Sequence, residues 1–282
     1  MSQVPSIERL VSLTADSFLE FSDTPKLDAE LLLCQVLDCN RTYLFTWPDK
    51  TVTTEQYLEF QSLCARRNKG EPIAHITGVR DFWSLELEVN PSTLIPRPDT
   101  ETLVEQALEL VQGQFSGTGL DLGTGTGAIA LALAKELPKW QWLGVDYSSD
   151  AVELAERNRL KNQIENCQFK KSDWYSAINS QKFDLIVSNP PYINKQDPHL
   201  NEGDVRFEPL SALVAEDEGL ADIKHILSKA RSFLSRNGSV LIEHGYDQGE
   251  SVREIFVQYG YEKVRTITDL SGNDRVSIGY LK

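Results

Sequence analysis

The spacing of apolar residues changes twice along the chain and divides it into three segments. Residues 1–75 carry apolar residues at helical intervals, as between Leu27 and Leu37, with few β-branched residues, and predict a small all-helical domain. Residues 76–95 alternate apolar and polar positions with period two, which predicts a β-hairpin connector. Residues 96–282 alternate short β-branched runs with helical patterns, which predicts an α/β domain with a doubly wound parallel sheet.

Several local signals refine the α/β segment. Asp99 or Thr100 is expected to cap its first helix, and Asn237-Gly238 is expected to end a helix over 220–234. Glycines within 117–119 disfavour β structure and predict a frayed start to the first strand. The predicted strands cover residues 120–122, 140–145, 167–171, 183–188, 240–243, 261–266 and 276–280.

The predicted strand 183–188 stops at the tetrapeptide Asn189-Pro190-Pro191-Tyr192. Proline fixes φ and has no N–H, so this segment predicts a stiff rim at the carboxyl end of the strand. The Asn189 side-chain oxygen and the Pro190 carbonyl can accept the two hydrogens of a planar –NH2 group, while the Tyr192 ring covers its face. Asn-Pro also opens turns, and Pro-Pro-Tyr occurs in polyproline segments, so the tetrapeptide alone leaves a simple turn open.

A glycine loop, Gly123-Thr124-Gly125-Thr126-Gly127, follows the first strand of the α/β segment and precedes a helix. Sheets of this type bind nucleotide-like ligands at that place, and the glycines let the backbone approach such a ligand closely. Gly123, Gly125 and Ala128 also satisfy the dinucleotide fingerprint, so the loop alone leaves a dehydrogenase open.

Acidic and aromatic residues after the strands favour S-adenosyl-L-methionine as the ligand. Asp146 ends the second strand and could bind a ribose hydroxyl pair with either cofactor. Asp121, two residues before the loop, is expected to take the ammonium group of a methionine moiety. Asp173 and Trp174 follow the third strand and are expected to cradle and stack on an adenine. Together these side chains predict a pocket for that cofactor.

Composition limits the partners and the compartment. The net charge is −14, and such an acidic chain lacks the excess of positive charge that attracts a phosphate backbone. No stable binding to nucleic acid is therefore expected. The four cysteines form no C-x-x-C and have no histidine at metal spacing, which predicts free thiols in a reducing compartment and no metal. No apolar run has the length of a signal peptide core or a membrane span, so a cytoplasmic protein without membrane contact is expected, and we expect a monomer.

Five motifs, in this order and spacing, carry a family resemblance. They are Leu94–Glu101 (LIPRPDTE), Asp121–Gly127 (DLGTGTG), Ser172-Asp173-Trp174, Asn189–Ile193 (NPPYI) and Gly203–Pro209 (GDVRFEP). Over essentially its whole length the chain resembles the peptide chain release factor glutamine methyltransferases, the HemK/PrmC family. DNA adenine-N6 methyltransferases share the tetrapeptide, whereas the Ile-Pro-Arg-Pro and Arg-Phe-Glu-Pro stretches make the resemblance specific.

The resemblance implies a class I methyltransferase fold, a Rossmann-like seven-stranded sheet whose last strand is antiparallel. It also implies methyl transfer from S-adenosyl-L-methionine to the side-chain amide nitrogen of the glutamine in the Gly-Gly-Gln motif of release factors, with S-adenosyl-L-homocysteine as product. Residues 123–127, Asp146 and Trp174 would bind the cofactor. Asn189 would contact both cofactor and substrate, and residues 190–192 would hold the glutamine.

Other assignments stay open at this level. A DNA or RNA adenine-N6 methyltransferase is the main alternative, although it would need a basic groove that this acidic chain does not suggest. A binding module without turnover is a third possibility, and the intact tetrapeptide weighs against it. Arg97, between two prolines, is either a substrate-binding residue or a solvated loop arginine. The helical domain is expected to dock the substrate, with a simple packing role as the alternative.

Overall fold

The computed structural model describes residues 4–281, which divide into two compact units. One unit contains the residues up to Gly78 together with residues 198–207. The other contains residues 79–197 and those from Glu208 onward. The sequence places residues 198–207 in the α/β domain, whereas the structure groups this segment with the helices. None of the helices within 4–281 is long and apolar enough to cross a membrane.

The first unit is helical, with a core around Phe18 and Phe60. A buried ion pair joins Arg67 Nε to Asp28 Oδ2 at 2.8 Å, and Arg67 Nη1 also lies 3.3 Å from Asp204 Oδ1, which holds the segment 198–207 within this unit. Its helices are α1 (Ile7–Phe18), α2 (Pro25–Leu37), α3 (Arg41–Thr46), α4 (Thr54–Arg67) and α5 (Ile73–Thr77), so the last helix takes residues 76 and 77 from the predicted hairpin.

The second unit begins with the hairpin and continues as an α/β domain. Its strands are β1 (Val79–Phe82), β2 (Leu85–Glu88), β3 (Thr118–Leu122), β4 (Gln141–Asp146), β5 (Cys167–Lys171), β6 (Phe183–Ser188), β7 (Ile193–Asn194), β8 (Val214–Ala215), β9 (Leu234–Glu243), β10 (Glu262–Thr268) and β11 (Asp274–Tyr280). Its helices are α6 (Glu101–Leu110), α7 (Ala128–Glu136), α8 (Ser149–Lys161), α9 (Ala221–Ala230) and α10 (Gly249–Gln258).

Seven strands form one sheet in the order β10-β11-β9-β6-β3-β4-β5. The final strand, β11, pairs antiparallel with both of its neighbours, whereas β9, β6, β3, β4 and β5 pair in parallel. This confirms the predicted seven-stranded class I methyltransferase architecture. Because β3, β4, β5 and β6 are parallel, the loops that follow them emerge at one edge of the sheet, where such folds bind ligands.

The glycines before and within the first parallel strand have a packing role that their β propensity does not suggest. A Cβ atom on Gly119 would lie 2.4 Å from the Trp142 ring, and one on Gly117 would lie 2.7 Å from the Trp140 ring. The missing side chains therefore make room for two tryptophans of the core. β3 begins at Thr118, whose N–H donates to Asp184 Oδ2 at 2.9 Å, so the prediction of a frayed start is wrong.

Asn237-Gly238 was expected to end a helix, and this expectation is also wrong. Helix α9 stops at Ala230, and the Asn-Gly pair lies inside β9. Asn237 has φ of 64°, and the register between β6 and β9 shifts between Phe183 and Leu185. A left-handed asparagine followed by glycine serves a β-bulge as well as a helix end, and the local sequence does not distinguish the two.

Candidate active site

A cavity of about 290 Å³ lies at the carboxyl edge of the sheet, entirely within the α/β unit. Four groups of predicted residues line it: Arg97, the glycine loop up to Thr126, the residues at the end of β4 and after β5, and part of the tetrapeptide. The predicted site residues in its wall are Arg97, Gly123, Thr124, Gly125, Thr126, Asp146, Asp173, Trp174, Asn189 and Pro191. The fold therefore brings together motifs that are up to 94 residues apart in the sequence.

The glycine loop turns tightly out of β3 toward α7. Gly123 and Gly125 have φ of 70° and 55°, a left-handed backbone that favours glycine. The N–H groups of Gly123 and Thr124 both donate to the Val145 carbonyl at 2.9 Å, which fixes the loop against the end of β4. A side chain on Gly123 would stand 3.6 Å from the Trp174 ring and would fill the space between the loop and that ring.

Asp146 supports the loop from the end of β4. Its Oδ2 accepts from the Gly125 N–H at 2.9 Å, and its Oδ1 accepts from the Ser148 N–H at 2.9 Å. Burial raises the pKa of Asp146 above its ordinary value, while these backbone hydrogen bonds oppose the rise. A carboxylate in this position can accept from a ligand's hydroxyl groups as well as from the loop.

Asp121 occupies a different place from the one that its predicted role requires. It is fully buried in β3, does not line the cavity, and its Oδ2 accepts from the Thr124 hydroxyl at 2.6 Å. Burial raises the pKa of Asp121 to about 7. The carboxylate thus holds the glycine loop through Thr124. Its Oδ1 is buried without a hydrogen-bond partner within the described residues, and its contact with an ammonium group stays a prediction.

Beyond β5, Trp174 forms another part of the wall. It has φ of 46°, unusual for a bulky residue, and its ring lies 6.5 Å from the His225 ring. Asp173 precedes it, and Asp222 at the start of α9 lines the cavity on the same side. Burial raises the pKa of Asp222. The aromatic ring can stack on a purine, and the carboxylates beside it can accept hydrogen bonds from the purine amino group.

The tetrapeptide divides between the cavity and the core. Asn189 and Pro191 line the cavity, whereas Pro190 and Tyr192 do not. The Tyr192 side chain packs against the core around Phe183 and its hydroxyl donates to Glu243 Oε1 at 3.4 Å. The hydroxyl of Tyr192 is thus held by a buried carboxylate, and the role of its ring at the substrate stays a prediction.

Glu243 ends β9, directly beside the end of β6. It is almost completely buried, and burial raises its pKa to about 7, while hydrogen bonding from Thr100 and the charge of Arg275 oppose the rise. Thr100 in turn receives a hydrogen bond from Asn189 Nδ2 at 3.2 Å. Both side chains were absent from the predicted site.

Arg97 lines the cavity and pairs with a buried carboxylate. Its Nη2 lies 2.7 Å from Glu208 Oε2, and Glu208 Oε1 accepts from the Ile95 N–H at 2.9 Å. The Glu208 side chain has no exposed surface, whereas the Arg97 side chain is 32% exposed. Arg97 is thus held in the wall rather than solvated freely.

Sequence reasoning missed several polar residues of the cavity. Thr93 is 3% exposed, and its hydroxyl has no hydrogen-bond partner among the residues described. Thr100 was assigned to a helix cap, and its side chain makes no cap hydrogen bond. No local sequence pattern identifies either residue, because the surroundings of both hydroxyls are formed by segments that are distant in the sequence. Glu208 lies within a quoted motif, but its pairing with Arg97 spans 111 positions.

Histidines and acidic clusters do not suggest other chemistry at this site. No histidine lines the cavity, and within 4–281 no group of three or more histidine, cysteine or acidic side chains is arranged to hold a metal ion. His244 follows Glu243 but is fully buried, with Nε2 2.9 Å from Ser277 Oγ. Burial lowers its pKa.

Comparison with known proteins gives consistent matches over nearly the whole chain. Two family models match: the PrmC N-terminal domain over residues 13–78 and the methyltransferase small domain over residues 99–204. A release factor glutamine methyltransferase of Aliivibrio fischeri is 54% identical over 276 residues, which is 97% of each chain. One of Escherichia coli K12 is 53% identical over 265 residues, covering 94% of this chain and 95% of the relative.

Solved structures support the fold alone, because their identity to this chain is low. A methyltransferase from Pyrococcus furiosus matches with a TM-score of 0.53 at 19% identity, covering 77% of this chain and 96% of that one. The T. thermophilus 16S rRNA N2 G1207 methyltransferase, solved in complex with AdoMet and guanosine, also matches with a TM-score of 0.53 at 18% identity, covering 72% and 50%.

Proposed function

The chain belongs to the family of release factor glutamine methyltransferases, and from this premise we propose that it methylates the side-chain amide nitrogen of the Gly-Gly-Gln glutamine in peptide chain release factors. S-adenosyl-L-methionine is the methyl donor and S-adenosyl-L-homocysteine is the second product. The observation that carries the proposal is that one cavity contains both the glycine loop with Trp174 and the Asn189 side chain. A donor and an amide acceptor can therefore meet there.

The residues present fit this cofactor. Gly123 leaves open the space beside the Trp174 ring, which suits a flat heterocycle. Asp146 lines the cavity at the end of β4, where ribose hydroxyls can donate to its carboxylate. The buried Thr93 hydroxyl lacks a hydrogen-bond partner in the described part of the chain, and a polar ligand group would supply one. When bound, S-adenosyl-L-methionine supplies an electrophilic methyl group on a sulfonium.

The protein's main task is to prepare a poor nucleophile. An amide nitrogen shares its lone pair with the carbonyl, so it must pyramidalise before it can attack. Asn189 Oδ1, in the cavity wall, would accept one hydrogen of the –NH2 group. The Pro190 carbonyl would accept the other, which requires the bound glutamine to reach past the wall to a residue that does not line the cavity. These acceptors would lie where the hydrogens move as the nitrogen pyramidalises, so the contacts strengthen in the transition state. Holding the reactants near attack geometry contributes roughly 7–11 kcal/mol in the best cases.

Proton removal needs no dedicated base. Once the nitrogen has accepted the methyl group, its N–H becomes strongly acidic and the proton leaves to water. The absence of histidine from the described cavity wall is compatible with this route. Arg97, fixed by Glu208 in the wall, would contact the backbone or carboxamide oxygen of the substrate.

The helical unit would dock the release factor. It presents exposed aromatic side chains at the end of α3, Phe45 with 60% exposure and Trp47 with 55%. Exposed aromatic residues are enriched at protein interfaces. The acidic chain also suits a basic partner, and the long-range part of that attraction would weaken with salt.

The test is a methyl-transfer assay with labelled S-adenosyl-L-methionine and three substrates: a release factor, the same factor with its Gly-Gly-Gln glutamine replaced by alanine, and duplex DNA. We expect label only in the unaltered release factor, and a mass increase of one methyl group on its Gly-Gly-Gln peptide. Label in DNA and none in the release factor would instead favour an adenine methyltransferase.

A further inference from the structure

The proposed transfer depends on which way the Asn189 side chain is turned. A carboxamide has an acceptor oxygen on one side and an –NH2 donor on the other. Only the orientation with Oδ1 toward the substrate can accept from the substrate amide. The opposite orientation would set two –NH2 groups against each other, so a device that fixes this rotation would matter for catalysis.

Thr100 is placed to fix it. Its Oγ1 accepts from Asn189 Nδ2 at 3.2 Å, which turns the Asn189 oxygen away from Thr100. Thr100 is 4% exposed and lines the same cavity. Thr100 ends a 3-10 turn, Pro98–Thr100, that runs directly into α6, and with its helical backbone its hydroxyl makes no capping hydrogen bond. The hydroxyl is therefore available to the asparagine.

Glu243 is a buried neighbour of this pair. Burial raises the pKa of Glu243, and Thr100 is close enough to oppose that rise. Glu243 Oε2 has no hydrogen-bond partner within the described residues, so the contact that fixes the Thr100 hydroxyl is the one with Asn189 Nδ2. Glu243 Oε1 accepts from the Tyr192 hydroxyl at 3.4 Å. The tetrapeptide is thus held at its first residue by Thr100 and at its last by Glu243.

We propose that Thr100 is a positioning residue that holds the Asn189 amide with its oxygen toward the substrate. This inference rests on the proposed function, because it concerns the acceptor for the substrate amide. It concerns a neutral hydroxyl that is not expected to touch the methyl donor. Its loss should therefore slow methyl transfer and leave donor binding intact.

The experiment compares Thr100→Val, which keeps the shape and removes the hydroxyl, with Thr100→Ser, which keeps the hydroxyl. Thr102→Val is the matched control, since Thr102 is a buried threonine two residues further on, in α6, and does not line the cavity. Single-turnover methylation of a release factor is measured at pH 8, with calorimetric binding of S-adenosyl-L-homocysteine in parallel. Thr100→Val should slow transfer about tenfold, the equivalent of one hydrogen bond, while affinity changes by less than about twofold.

An Asn189→Asp background separates orientation from other roles. A carboxylate has oxygen on both sides, so its rotation no longer matters, and adding Thr100→Val should cost less than about threefold there. A tenfold cost in both backgrounds, an unchanged rate in Thr100→Val, or a rate in Thr100→Ser as low as in Thr100→Val would overturn the inference. Thr100→Ala is measured alongside in case the valine variant does not fold. A wild-type protein that binds S-adenosyl-L-homocysteine but methylates no release factor would overturn the proposed function itself, and the inference with it.

Discussion

Asn189→Ala removes the side-chain acceptor on which the proposed mechanism depends. The asparagine is only half-buried, so its loss leaves a space that water can enter rather than a sealed void. Loss of one preorganised polar contact at an enzyme site costs roughly 2.7–4 kcal/mol, and partial access of water reduces this to about 2–3 kcal/mol. That range corresponds to a fall of roughly 30- to 150-fold in single-turnover methyl transfer.

The same substitution should have little effect on the cofactor half of the cavity. The glycine loop, Asp146 and Trp174 remain, so calorimetric affinity for S-adenosyl-L-homocysteine should fall by less than about threefold. Asn179→Ala is the control, because Asn179 is exposed and lies outside the cavity wall. Turnover of Asn189→Ala within about threefold of the control would refute the role assigned to its oxygen.

Three further predictions concern the cofactor side. Asp146→Ala should weaken S-adenosyl-L-homocysteine binding by roughly 10- to 150-fold, because a charged acceptor is lost, and unchanged calorimetric affinity would remove this assignment. Thr93→Val should lower the same affinity about five- to tenfold without lowering the melting temperature of the ligand-free protein, because the buried hydroxyl has no hydrogen-bond partner in the described chain, and Thr93→Ser should restore binding. Asp121 has a pKa of about 7 when folded against ~3.9 when unfolded, so the folded state retains a proton that the unfolded chain releases, and stability falls as pH rises between these values. Asp121→Asn cannot lose stability in this way. Denaturant titrations should therefore show that the free energy of unfolding of the variant, minus that of the wild type, rises by about 2–3 kcal/mol between about pH 5 and 8. A difference that does not change with pH would contradict the raised pKa.

Local patterns were sufficient to predict the sheet and the shared edge of the site. Each of the runs 167–171 and 183–188 coincides with a strand of the structure. The second run is apolar and β-branched, whereas the first alternates Cys167 and Phe169 with polar residues, and turn signals follow both. The parallel arrangement then places the residues after these strands at one edge, so Trp174 and Asn189 could be assigned to one pocket from the sequence. Local rules failed where a residue's partner lies far along the chain.

Thr100 shows the physical reason for such a failure. Its position before an apolar helical pattern led to its assignment as a capping residue, whereas the helical turn begins at Pro98 and has Arg97 at the capping position. The hydroxyl is used by Asn189, 89 positions away, so its role depends on the tertiary fold. Tyr192 also has a distant partner, since its hydroxyl donates to Glu243, 51 positions away. Departures from local rules of this kind are expected to gather at functional sites.

The two stretches that made the family resemblance specific are linked physically. Glu208, from the Arg-Phe-Glu-Pro stretch, accepts from the Ile95 N–H and pairs with Arg97, both from the Ile-Pro-Arg-Pro stretch. Pro96 and Pro98 restrict the backbone on either side of Arg97, so the buried carboxylate needs only two contacts to fix the loop. A loop held in this way can present Arg97 at a constant distance from Asn189. Glu208 and residues 95–97 are therefore coupled, and a change in either should disturb the same part of the cavity wall.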